Sequence, residues 1–66
     1  MSAFSERLIE LRKKHGLSQE DAAKEFDVVV RAYQRYEYGE REPRLSTLIK
    51  IAGFYGVTLD ELAGRE

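Results

Sequence analysis

The stretch from Leu17 to Glu37, LSQEDAAKEFDVVVRAYQRYE, constrains this chain more than any other. It reads as two short helices joined by a tight turn. Ser18 stands where an N-cap belongs, with Asp21 three residues on, close to a capping box. Ala22, Phe26, Val28, Tyr33 and Tyr36 then face inward if the chain bends near Asp27. Ala23 is small where two steeply crossing helices need close backbone approach. That arrangement leaves Arg31, Gln34 and Arg35 on the opposite face of the second helix.

The rest of the chain has to hold this unit in place. At 66 residues it makes one domain, 1–66, and buries only a modest fraction of its surface. It has no cysteine, so disulfides and thiolate metal sites are excluded, which fits a reducing compartment. Apolar runs of a few residues are too short for a membrane span or a signal-peptide core, and a cytoplasmic location is expected. Eleven Lys and Arg against twelve Asp and Glu give a net charge of −1, so total charge offers no support for nucleic-acid binding. Only residues 28–44, with four Arg against three Glu, lean basic.

Phe4, Leu8 and Leu11, widened by Ile9, give residues 4–14 one apolar face and predict helix one. Ser2 is its expected N-cap, Arg12, Lys13 and Lys14 suit its C-terminal dipole, and Gly16 stops it. His15, beside that stop and without a partner at metal spacing, reads as a helix-end cation rather than a ligand. Helices two and three are expected at about 18–25 and 29–38. Gly39 and Pro43 bracket a loop. Leu45, Leu48, Ile49, Ala52 and Tyr55 give a fourth helix its apolar face, ended by Gly56. Thr58 and Glu61 form a capping box for a short fifth helix carrying Leu59 and Leu62, and Gly64 to Glu66 are expected to fray. No strand alternation, repeat or low-complexity segment is present. The fold class is all-α, a compact five-helix bundle.

With these residues in place, the chain resembles the phage repressor and Cro-type helix-turn-helix family, the XRE-like regulators. The markers are Arg7-Leu8 and Leu11-Arg12, Gly16-Leu17-Ser18-Gln19, Ala23, Arg35-Tyr36-Glu37, Gly39, Pro43, and the closing run from Gly56 to Leu62. The resemblance implies a lambda-repressor-like fold with the helix-turn-helix in helices two and three. It also implies roles by position. Gln19 would donate to a DNA phosphate. Val29, Val30, Arg31, Gln34 and Arg35 would enter the major groove. Tyr38, Arg41 and Arg44 would meet the phosphate backbone, and Arg12 with Glu37 would form an ion pair tying helix one to helix three. The chemistry suits these roles: arginine can fork onto guanine O6 and N7, glutamine can pair with adenine, and valine can pack on thymine methyls. The plain alternative for Arg31 and Arg35 is a solvated helix face.

The chain departs from the family at four places. Asp27 stands where Gly is favoured and the turn often needs φ > 0; the alternative reading makes it the substitute cap, starting helix three two residues early. Val29 stands where a Ser or Thr cap is common, at a cost of ~1 kcal/mol. Ala22 and Tyr33 replace a larger and a smaller core residue, so the Tyr33 ring is expected to fill the space that Ala22 leaves. Val28, Val29 and Val30 put apolar side chains at the tip meant for DNA, where they would meet thymine methyls, a protein or a second copy of the chain.

The function expected is a sequence-specific regulator of double-stranded DNA, acting as a homodimer on a palindromic operator, with repression as the expected output. Its dimer contact would use Val57, Leu59 and Leu62 with Phe54 or Tyr55, unless these close the monomer's own core. A non-catalytic protein-interaction module, antitoxin-like or adaptor, is the alternative. Enzymatic activity is not expected: no nucleophile-base set, phosphate-cradling glycine loop or paired metal ligands occur, and no cofactor, metal or small-molecule ligand is implied.

Overall fold

Helix-stop glycines and apolar spacing divide the chain into α1 (Ala3–Lys14), α2 (Gln19–Glu25), α3 (Val30–Tyr38), α4 (Leu45–Tyr55) and α5 (Leu59–Leu62) in a computed structural model that describes residues 3–65. The fold is all-helical, and no strand occurs among the described residues. The expected cap at Ser2 lies outside them, as does Glu66.

Local chemistry explains where each helix begins and ends. The Asp21 N–H donates to Ser18 Oγ at 3.0 Å and the Ser18 N–H to Asp21 Oδ2 at 3.3 Å, a reciprocal box that opens α2. Thr58 and Glu61 repeat it for α5 at 3.0 and 2.9 Å. Gly39 and Gly56 close α3 and α4 in the left-handed region. At the end of α1, the Leu11 carbonyl accepts the His15 backbone N–H at 3.1 Å, and His15 Nδ1 lies 2.9 Å from the same oxygen. Past α5, Gly64 and Arg65 still hold backbone hydrogen bonds. Gly64 and Arg65 donate to the carbonyls of Glu61 and Asp60, and a Cβ at position 64 would stand 2.7 Å from that of Ala3. Only glycine allows that approach.

The turn between α2 and α3 is where the family pattern breaks, and the structure resolves how. Asp27 takes φ 57°, the left-handed conformation glycine usually supplies. It does not cap α3. The N-cap is Val29, with no side-chain hydrogen bond, and α3 starts at Val30. Val28 points back into the domain and packs against the core.

That core joins Leu8 and Leu11 of α1, Ala22, Ala23 and Phe26 around α2, Tyr33 and Tyr36 of α3, Ile51, Ala52 and Tyr55 of α4, and Leu62 of α5. Helix α3 packs on both α2 and α1, while α5 closes on α4 and α1. Tyr33 is fully buried and its ring stacks on Phe26, so the tyrosine takes up volume in the same core that holds the small Ala22 and Ala23. Tyr55 and Leu62 also belong to the core, which removes them from the expected dimer surface. Leu59 and Phe54 stay exposed, and Leu45 and Ile49 on α4 join them.

Candidate nucleic-acid interface

Helix α3 divides its side chains by face. Tyr33, Tyr36 and Glu37 turn inward, and Arg31 and Arg35 turn out. At its leading edge Val29 is 71% and Val30 37% exposed, so apolar surface meets solvent at the tip. Gln34 is half-buried on the border between the two faces. Tyr38, at the trailing end, is exposed as well.

Beside this helix runs a groove lined by Val29, Arg41, Arg44, Ser46 and Lys50, with Asp27 at its edge. Both α3 and α4 open onto it, and neither start carries a side-chain cap, unlike α2 and α5. Their first N–H groups therefore have no acceptor from the cap residue's side chain, a setting that suits anionic oxygen. Lys50 is a groove cation that sequence reading missed. It lies on α4, far from the Leu17–Glu37 stretch, and nothing in local spacing marks it. Its ammonium stands 4.0 Å from Asp27 Oδ2, both groups well exposed, so this pair contributes little to stability.

Behind α3 the site rests on a polar cluster. Glu37 is 2% exposed, and its carboxylate receives Arg12 Nε at 2.6 Å and Arg12 Nη2 at 3.3 Å, a forked contact from α1. Arg12 Nη1 also donates to the Leu17 carbonyl at 2.9 Å, so one guanidinium pins the α1–α2 connection and the end of α3 together. The Tyr33 hydroxyl, one turn before Glu37 on α3, donates to Oε2. Gln19 Nε2, from the start of α2, donates to Oε1 at 3.0 Å, and Gln34 Nε2 donates to Gln19 Oε1 at 3.1 Å. The glutamine that resemblance assigns to phosphate is thus already engaged on its inner side, keeping one N–H for the outside.

Burial alone would raise the Glu37 carboxyl, but the hydrogen bonds from Arg12, Tyr33 and Gln19 outweigh it and hold it below the usual carboxylate range. A carboxyl depressed in the folded state gives stability that is present above its unfolded value of about 4.3 and is lost as pH falls through the folded value. Tyr33→Phe removes one of the groups favouring the charged form. We expect the variant to be less stable at neutral pH by ~1.5–3 kcal/mol, the worth of a hydrogen bond to a charged group. Across the acid limb it should lose less further stability than the unsubstituted chain. Thermal melts from pH 7 to pH 2 would show this; parallel curves would remove the tyrosine from the cluster's energetics.

Among the described residues, no group of three or more His, Cys, Asp or Glu is placed to hold a metal ion, and no helix is long and apolar enough to cross a membrane. What the fold presents is a solvent-facing helix on a small all-α scaffold, with an adjoining cationic groove.

That class of protein is a helix-turn-helix domain, with α2 and α3 as its unit. The helix-turn-helix family model matches residues 8–62, and the chain belongs to that family. It is 41% identical over 59 residues to the cryptic phage CTXphi transcriptional repressor RstR of Vibrio cholerae, covering 89% of this chain and 53% of that protein. It is also 41% identical over 61 residues to the HTH-type transcriptional regulator AnsR of Bacillus subtilis, covering 92% of this chain and 53% of that one. A crystal structure of a transcriptional regulator from Listeria innocua superposes with a TM-score of 0.90 at 35% identity, over 96% of this chain and 59% of the other. The chain spans about half the length of the curated relatives it matches.

Proposed function

We propose that this chain is a non-catalytic, sequence-specific DNA-binding domain of a transcriptional regulator, acting in the cytoplasm. The observation that carries the reading is the orientation of α3. In a helix-turn-helix chain, it buries Tyr33, Tyr36 and Glu37 and leaves Val29, Val30, Arg31 and Arg35 to solvent. Arg31 reads a guanine edge, Arg35 assists one turn on, Gln34 reads an adjacent base, and Val29 and Val30 pack on thymine methyls. Gln19, Tyr38, Arg41 and Arg44, with Lys50 added, contact phosphates around the groove.

The domain works as a homodimer on a palindromic operator, its two copies of α3 one helical turn apart, about 34 Å. Leu59, Phe54, Leu45 and Ile49 are exposed apolar side chains outside the α3 tip that such a contact could draw on. Repression by covering a promoter fits relatives named as repressors.

Binding to mixed duplex DNA should weaken log-linearly with salt, the slope reporting how many phosphates are neutralised. Arg31→Ala should cost ~1–3 kcal/mol and relax preference at one base pair, whereas Arg41→Ala should weaken all sequences alike. Equal losses on cognate and random duplexes for Arg31→Ala would strike it from the readers. If the chain binds no duplex even at low salt, the exposed valines favour a protein-interaction module instead.

A further inference from the structure

Hydrogen bonds run without a break from the inside of the domain to the proposed DNA face: Arg12 and Tyr33 donate to Glu37, Gln19 to Glu37, and Gln34 to Gln19. Glutamine amides present oxygen and nitrogen in nearly identical shapes, so which end points where is set by the partners. Here the partners settle it. An ionised carboxylate accepts only, so Gln19 must turn its NH2 toward Glu37. Its carbonyl then faces Gln34, which must answer with its own NH2. The order is imposed from the buried end outward.

The consequence is a count of what Gln34 has left. An amide carries two N–H donors and one carbonyl. With one N–H given to Gln19, Gln34 presents a single donor and a single acceptor. In the major groove adenine offers N7 as an acceptor and N6 as a donor, while guanine offers two acceptors, N7 and O6. A free glutamine can turn both N–H groups toward guanine. The tied one cannot do so without breaking its bond to Gln19.

On the reading that α3 enters the major groove, we infer that Glu37, acting through Gln19, makes Gln34 select adenine over guanine. Glu37 and Gln19 are positioning residues in this scheme, and Gln34 is the residue that touches the base. Gln19 keeps its second N–H for a phosphate, so losing it has two separable effects: a uniform drop in affinity and a change of preference at one base pair.

The test uses the 66-residue chain and a randomised duplex pool. The position read by Gln34 is the one whose preference disappears in Gln34→Ala. There, the unsubstituted chain should favour adenine over guanine by roughly tenfold, as a good bidentate pair can. Gln19→Leu, a change at a half-buried surface position, should bring the ratio near one while preferences elsewhere survive. A second readout needs no DNA. Gln19→Leu should shift the Gln34 side-chain amide protons in an NMR spectrum, because one of them loses its acceptor. Uniform loss across all sequences with the adenine preference intact in Gln19→Leu, or unmoved Gln34 amide resonances, would overturn the inference and leave the DNA-binding reading intact. Absence of duplex binding by the unsubstituted chain would overturn both.

Discussion

Glu37→Ala is expected to destabilise the domain by ~3–5 kcal/mol, the range for breaking a buried ion pair from one side. The carboxylate has three donors from three elements: Arg12 on α1, Gln19 on α2 and Tyr33 on α3. Removing it strands the Tyr33 hydroxyl in the core and leaves the Arg12 guanidinium, itself mostly covered, without its counter-charge. Small domains shift by roughly 4–8 °C of melting temperature per kcal/mol, so the midpoint should fall by more than ~12 °C. Glu37→Gln keeps the volume and one acceptor and should fall between the two. Circular-dichroism melts at neutral pH give the answer directly. A change of only a degree or two for Glu37→Ala would mean that the cluster contributes nothing net.

Phe26→Ala should be comparably damaging, at ~3–5 kcal/mol for a fully buried ring. Phe26 ends α2 just before the Asp27 turn, and its ring meets Tyr33 on one side and Phe54 and Tyr55 on α4 on the other. Its loss would open a void at the joint that fixes the angle between α2 and α3. Beyond the drop in stability, DNA affinity measured well below the melting midpoint should also fall. Phe26→Leu, which keeps much of the volume, should restore most of the stability. If Phe26→Ala lowers stability and leaves cognate affinity untouched at low temperature, the ring supports the fold without setting the helix angle.

How much of this could be read from the residues depends on whether the cause was local. The capping boxes at Ser18–Asp21 and Thr58–Glu61 and the stops at Gly39 and Gly56 each act within a few residues, and each is visible in sequence. The start of α3 was harder to fix, because Val29 supplies no capping side chain to mark it and Asp27 serves the turn instead. Tyr33 was legible as volume but not as a donor. The clue was present in its spacing of four from Glu37, which places the two on one helix face. The Gln19–Gln34 bond and the position of Lys50 depend on how helices distant in sequence come together, and no local pattern encodes that. At the chain end, Gly64 looked like a loose terminus, because its close neighbour is Ala3 at the other end of the chain.

The division of α3 into two faces has a consequence for how such a domain can change its target. The residues that anchor the helix, Tyr33, Tyr36 and Glu37, are distinct from those at its exposed tip, Val29, Val30 and Arg31. Substitutions at the tip disturb little of the packing, so the reading head can be exchanged while its mount stays the same. Gln34 stands at the junction of the two. Because its outward amide is tied to the interior, it is the least exchangeable of the proposed base readers, and new specificities should arise around it sooner than at it.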